Sequence, residues 1–105
     1  MKSITVKELK AKMDAGEPFK LIDVREEYEA EIASIGAELV PLATVLENAD
    51  KFKHDVPVIV HCRSGKRSAT AIVQLEKQFG IQNLYNLEGG ILAWAEEIDP
   101  GMDKY

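Results

Sequence analysis

Only one cysteine, at position 62, stands in this chain of 105 residues, and histidine occurs only twice. A single thiol rules out an internal disulfide, and with it the reading as a small disulfide-stapled secreted scaffold. Zinc-type coordination is poorly served as well. His61 and Cys62 are adjacent, His54 is the other imidazole, and there is no second thiol, so neither a metal nor a cofactor is expected. Long apolar runs are missing, and none approaches the roughly 20 residues that cross a bilayer. The start, Met1-Lys2-Ser3-Ile4-Thr5, turns polar at once and carries no leader-type hydrophobic core, which predicts a cytoplasmic protein with a reduced thiol. Positive charge is in deficit. Thirteen Lys and Arg against 18 Asp and Glu leave a formal net charge of −5, which argues against nucleic acid as a partner.

Repeats, low-complexity tracts and Pro- or Ser-rich linkers are also absent, so one domain is expected over 1–105, with 99–105 as a frayed tail. What is present is the composition of an ordinary globular protein, 46% hydrophobic and 30% charged. Short apolar runs alternate with segments of helical period. Residues 4–6 read as a strand, and Thr5 with Glu8 forms a capping-box pattern for a helix carrying Leu9 and Met13, ended by Gly16. Strands follow at 19–24, 38–42, 58–61 and 84–87. Helices are expected over 26–32, 44–52, 69–79 and 91–98. Val45, Leu46, Ala49 and Phe52 supply the helical spacing of the second, and Gly80 stops the third. The run at 58–60 is apolar without alternation, as a central strand covered on both faces requires. Strand and helix in alternation predict an α/β fold with right-handed crossovers and a mostly parallel sheet, whose sites form beyond the carboxyl ends of strands. No helix shows a second apolar stripe, which predicts a monomer.

Cys62 follows directly on one of those strands, in His61-Cys62-Arg63-Ser64-Gly65-Lys66-Arg67-Ser68. A buried inert cysteine would not have Arg63, Lys66 and Arg67 as neighbours, because such cations are not buried unpaired. A tight strand-to-helix turn aims successive N–H groups inward, and the helix start adds partial positive charge. Both lower a thiol's pKa, so Cys62 reads as a nucleophile. A phosphate-binding P-loop does not fit, since Val60 stands where its first glycine belongs and Arg67 where Ser or Thr must follow Lys66. A Cys–His hydrolase needs an imidazole brought to the sulfur, and His54 lies in a polar segment better read as a solvated loop. Two chemistries remain in which cysteine works without a general base. One is phosphoryl or arsenate transfer on the Cys-x5-Arg loop of protein tyrosine phosphatases; the other is transfer of sulfane sulfur through a cysteine persulfide. The spacing here is Cys-x4-Arg, a smaller cradle with no aspartate close behind to act as general acid, and it favours sulfur.

Three stretches carry a resemblance to a known family. Leu21-Ile22-Asp23-Val24-Arg25-Glu26, Val60 through Ser68, and Leu87-Glu88-Gly89-Gly90-Ile91-Leu92-Ala93-Trp94 resemble, in order and at the family's spacing, the signatures of single-domain rhodaneses, the thiosulfate-type sulfurtransferases. The resemblance implies a five-stranded parallel sheet in the order 1-5-4-2-3 with helices on both faces. It makes Cys62 the persulfide-forming nucleophile, with N–H groups from Arg63, Ser64, Gly65, Lys66 and Arg67 stabilising the outer sulfur. The side chains of Arg63, Lys66 and Arg67 would hold the sulfonate of a thiosulfate-like donor. Asp23, Arg25 and His61 are expected to buttress the loop, and Gly89, Gly90 and Trp94 to serve as turn and core. One departure lies between Tyr28 and Gly36, where Glu31-Ile32-Ala33-Ser34-Ile35 replaces the family's frequent Gly-His-Ile. The implied activity is double displacement: sulfur passes from donor to Cys62, then to a thiol or a dithiol protein. A phosphatase or arsenate reductase on the same fold, and a carrier or regulatory module that passes sulfur only to one docked protein, stay open as alternatives.

Overall fold

The computed structural model describes all residues from 1 to 105. Five parallel strands, β1 (Lys2–Ile4), β2 (Lys20–Asp23), β3 (Glu38–Leu39), β4 (Val58–His61) and β5 (Leu84–Leu87), form one sheet in the order β1-β5-β4-β2-β3. Four helices complete it: α1 (Val6–Asp14), α2 (Glu27–Ile32), α3 (Lys66–Phe79) and α4 (Gly90–Glu97). The sheet order and the cover on both faces are those the resemblance implies. No helix is long and apolar enough to cross a membrane.

The two-residue period of the strands divides the core. Ile22, Val58, Val60 and Leu84 point to one face, where they meet Ala71, Ile72 and Leu75 of α3 together with Val45 and Phe52. Leu21, Ile59 and Leu87 point to the other, against Leu9 of α1 and Trp94 of α4. All four residues of β4 are buried, as an unalternating central strand demands. The chain leaves that strand at its carboxyl end and enters α3 after four residues, which puts Cys62 at the rim of the sheet's middle.

Several expected boundaries move, each for a physical reason. Thr5 lies outside the first strand. Its Oγ1 accepts the Glu8 N–H at 3.1 Å while its own N–H donates to Glu8 Oε1 at 2.9 Å, so the capping box claims it and Val6 opens α1. The strand expected at 38–42 shortens to two residues, yet the N–H groups of Val40 and Leu42 still donate to the Asp23 and Val24 carbonyls. Pro41 falls between them, where an edge needs no donor. The helix expected at 44–52 is a correction: two 3-10 turns, Leu42–Thr44 and Ala49–Phe52, stand in its place. The run breaks at Asn48, whose backbone leaves helical geometry (φ −111°, ψ 26°) although its N–H still donates to the Thr44 carbonyl at 3.1 Å and its Nδ2 adds a second bond there at 2.9 Å. The apolar spacing was still informative, since Val45, Ala49 and Phe52 are buried.

Candidate functional site

The loop from Cys62 to Arg67 closes around sulfur. Cys62 is 1% exposed. The Gly65 N–H donates to its Sγ at 3.1 Å, and the Ser68 Oγ lies 3.4 Å from the same atom. Gly65 can turn its N–H inward because it adopts φ +104°, a left-handed conformation that L side chains avoid. Burial pushes the thiol up, but the Ser68 hydroxyl and the amides of Ser68, Gly65 and Ser64 outweigh it, leaving the thiol below its ordinary value. The largest hollow of the surface, about 450 Å³ and lined in part by Met13, Phe19 and Ile35, takes no residue from the loop. The sulfur is enclosed instead by the loop, by Ser68 of α3 and by the core cluster that holds Val60, Ala71 and Ile72.

The cations divide into two groups. Arg63 and Lys66 are exposed, with the Arg63 guanidinium 5.8 Å from the centre of the Tyr105 ring. Arg67 is engaged. Its Nη1 and Nη2 donate to Glu29 Oε1 and Oε2 at 2.7 and 2.8 Å, a bidentate pair that ties the start of α3 to α2. The expected hold of Arg67 on a donor's sulfonate is joined by this pairing, which commits two of the guanidinium's five N–H donors to a carboxylate. Glu29 was not singled out from sequence.

The Arg67 bonds hold the Glu29 carboxyl down to about 2, against an ordinary value of 4.5. A depressed carboxyl stabilises the fold at pH values above its ordinary range and loses that contribution as pH falls toward the depressed value. Discounted for the one-third exposure of Arg67, the pair should be worth about 2 kcal/mol. Denaturant unfolding of the native chain is expected to weaken by about that much more than that of Glu29→Gln between neutral pH and about pH 2. Parallel pH dependences would show the pair to be worth nothing.

Beneath the loop lies a buried polar set. Arg25, with no exposed surface, gives Nε and Nη2 to the Asp23 carboxylate, the shorter contact being 2.7 Å. Its Nη2 also donates to the Ala33 carbonyl at 2.7 Å and its Nη1 to that of Glu29 at 3.3 Å, which closes the end of α2. His61 is buried with Nδ1 3.2 Å from the Cys62 carbonyl, and its Nε2 is 3.8 Å from Asp23 Oδ2 without a hydrogen bond. Burial pushes the imidazole down, against the pull of Asp23 and the Cys62 carbonyl, so it stays neutral. Asp23, Arg25 and His61 thus sit under the loop and the end of α2, and none touches the sulfur. His54 is exposed, its Nε2 3.0 Å from the Lys51 carbonyl.

Gly90 has more to do than turn the chain. The N–H groups of Ile91 and Leu92 donate to the carbonyls of Cys62 and Arg63 at 3.0 and 3.1 Å, so the start of α4 holds the loop's carbonyls outward while its amides face sulfur. A Cβ on Gly90 would lie 2.5 Å from each of those carbonyl oxygens, and φ there is +56°. Gly90→Ala should cost about 2–4 kcal/mol, from a left-handed backbone plus displaced packed atoms. Gly36→Ala is the control, because φ is +84° there and a Cβ meets nothing within 4 Å. Equal losses of denaturation stability in the two variants would refute the close-approach argument. The signal for Gly90 was in the sequence as Gly89-Gly90 ahead of a helix; its partner was not.

The family model for the rhodanese-like domain matches residues 5–97. The chain is 37% identical over 106 residues to the probable adenylyltransferase/sulfurtransferase MoeZ of Mycobacterium tuberculosis, covering 98% of this chain and 27% of that protein. It is 34% identical to adenylyltransferase and sulfurtransferase MOCS3-2 of Zea mays, over 97% of this chain and 23% of that protein. The chain therefore spans about a quarter of the length of these relatives. Among solved structures, the rhodanese-like domain protein from Staphylococcus aureus superposes with a TM-score of 0.82 at 33% identity, covering 100% of this chain and 99% of that one.

Proposed function

The chain belongs to the rhodanese-like domain family, and on that premise we propose that it transfers sulfane sulfur through a persulfide on Cys62. The observation that carries this reading is the convergence of the Gly65 N–H and the Ser68 hydroxyl on one buried sulfur. Donors so placed stabilise negative charge at a single atom, as an oxyanion hole does for oxygen. In the first half-reaction the Cys62 thiolate attacks the outer sulfur of thiosulfate. The S–S bond breaks, sulfite leaves with the electron pair, and the outer sulfur stays on Cys62 as a persulfide anion. Arg63 and Lys66, exposed beside the loop, are the cations free to attract the donor's sulfonate and the departing sulfite. In the second half-reaction a thiophile attacks that outer sulfur and Cys62 leaves as thiolate. Cyanide would become thiocyanate, and a thiolate acceptor would become a persulfide. A dithiol protein would use its own second thiol to expel the sulfur, because this chain has no other cysteine.

The engagement of Arg67 by Glu29 favours sulfur over phosphoryl transfer. A tetrahedral phosphoryl group needs the loop's arginine as a bidentate partner, and here the Nη1–Nη2 fork is already turned to the Glu29 carboxylate. Intact mass of the native chain after incubation with thiosulfate tests the reading. A gain of one sulfur atom, lost on adding cyanide, is expected. No gain from a folded protein, together with hydrolysis of an aryl phosphate, would replace it with phosphatase chemistry. A persulfide that forms but does not turn over with small acceptors would assign the chain to sulfur delivery to one protein.

A further inference from the structure

Asn86, on β5, reaches both the loop and α3. Its Nδ2 donates to the Gly65 carbonyl at 3.1 Å, and its Oδ1 faces the Ser68 Oγ at 2.5 Å. The first contact fixes the amide's orientation, since a carbonyl can accept only from the nitrogen. The second is then a bond in which the Ser68 hydroxyl donates to Asn86 Oδ1. A hydroxyl has one proton. Ser68 cannot donate to Asn86 Oδ1 and to Cys62 Sγ, 3.4 Å away on its other side, at the same time.

We propose that Asn86 is a positioning residue that holds the Ser68 hydroxyl proton away from Cys62 whenever the sulfur is neutral, making that hydroxyl a switchable donor. With a neutral thiol the donors run in one direction: Sγ–H to Ser68 Oγ, Ser68 O–H to Asn86 Oδ1, and Asn86 Nδ2–H to the Gly65 carbonyl. When the thiol gives its proton to water, the Ser68 O–H turns about its Cβ–Oγ bond, breaks with Asn86 and donates to the thiolate. The Oγ lone pairs then face those of Asn86 Oδ1, which opposes the charged form. Asn86 thus raises the thiol above the value that the amides and Ser68 alone would give it. In the persulfide Sγ is again neutral and the proton returns to Asn86. When an acceptor removes the outer sulfur, the leaving thiolate draws it back. This deepens the persulfide reading and rests on it for the reaction, but the proton arrangement itself is a property of the resting thiol.

The test is a pH titration of the thiolate, read as the alkylation rate of the single cysteine so that the three tyrosines do not contribute, in the native chain, Asn86→Leu, Ser68→Ala and the double variant. The charged groups about the site are Arg63, Lys66, the Arg67–Glu29 pair and the Asp23–Arg25 pair, with His61 buried and neutral. None is altered, so they act on all four titrations alike. Asn86→Leu is expected to titrate at lower pH than the native chain, with severalfold faster alkylation at neutral pH. In the Ser68→Ala background the same substitution should move nothing. An equal shift in both backgrounds would mean that Asn86 acts only through Gly65, and an absent or upward shift in Asn86→Leu would overturn the proposal outright. Should Asn86→Leu fail to fold, Asn86→Ala serves the same comparison. The native chain also offers its own readout: the infrared S–H stretch should be shifted to lower frequency by donation to Ser68, and an unshifted band would refute the arrangement. No sulfur donor enters any of these measurements, so failure to form a persulfide would leave them interpretable.

Discussion

Cys62→Ala is expected to take up no sulfur from thiosulfate and to produce thiocyanate no faster than donor and cyanide mixed without protein. The prediction is absolute because the chain holds no second thiol to substitute for the first. The loop's other groups are donors, and donors without a nucleophile can bind an anion but cannot form the S–S bond that carries the sulfur. Removing a nucleophile typically leaves only the residual acceleration due to binding, and a two-step transfer with no covalent carrier loses even that. The fold should survive. The substitution removes one buried sulfur from a cluster that includes Val60, Ala71 and Ile72, at a cost of about 1 kcal/mol. The amides of Ser64, Gly65 and Ser68 lose their acceptor, but the rim at Arg63 and Ser64 is exposed and water can replace it. Circular dichroism and urea unfolding close to native, with no mass gain, complete the expected result. Thiocyanate formation persisting in a folded Cys62→Ala would remove the covalent mechanism altogether.

The parts of this architecture readable in the sequence are those set by local pattern. The strands at 58–61 and 84–87 have the bounds that their apolar runs suggest, and the capping box at Thr5 and Glu8 forms as spelled. The sequence singles out Cys62 as a thiol among three cations just after a buried strand, a setting that suits an anion, and the fold sets it at the carboxyl end of β4, buried against the same cluster as Val60, Ala71 and Ile72. The resemblance carried the sheet order. Contacts between residues far apart in the chain were not readable. Glu29 meets Arg67 across 38 residues and Asn86 meets Ser68 across 18, and neither Glu29 nor Asn86 stands in a pattern that names its partner. Periodicity reports which face a residue shares, not what lies opposite. The stretch at 44–52 shows the same limit from the other side. Its spacing named Val45, Ala49 and Phe52, which are buried, and Leu46, which is half-buried, while the backbone leaves helical geometry at Asn48.

Asp23→Ala is expected to be the most damaging single change to stability. Arg25 has no exposed surface, and its guanidinium is held by the Asp23 carboxylate and by the carbonyls of Glu29 and Ala33. Two carbonyl dipoles remain when the carboxylate is removed, but the compensating charge does not. Breaking a buried ion pair from one side typically costs about 3–5 kcal/mol, because the surviving charge stays desolvated. Against a total of roughly 5–15 kcal/mol for a domain, that leaves a protein near its unfolding threshold. Asp23→Asn, which keeps the shape and an acceptor oxygen but not the charge, should fall between the native chain and Asp23→Ala. Removing both charges in Asp23→Ala/Arg25→Leu should recover part of the loss, though not all, since the Ala33 carbonyl then loses its donor. Urea midpoints rank the four proteins, and a loss below about 1 kcal/mol in Asp23→Ala would show that the pair is not buried as described. The consequence for the chemistry follows from position. Asp23 meets the loop through His61, which contacts the Cys62 carbonyl and not the sulfur. Sulfur uptake per folded molecule should therefore stay close to native in Asp23→Asn. Uptake abolished in a fully folded variant would move Asp23 from support into the reaction itself.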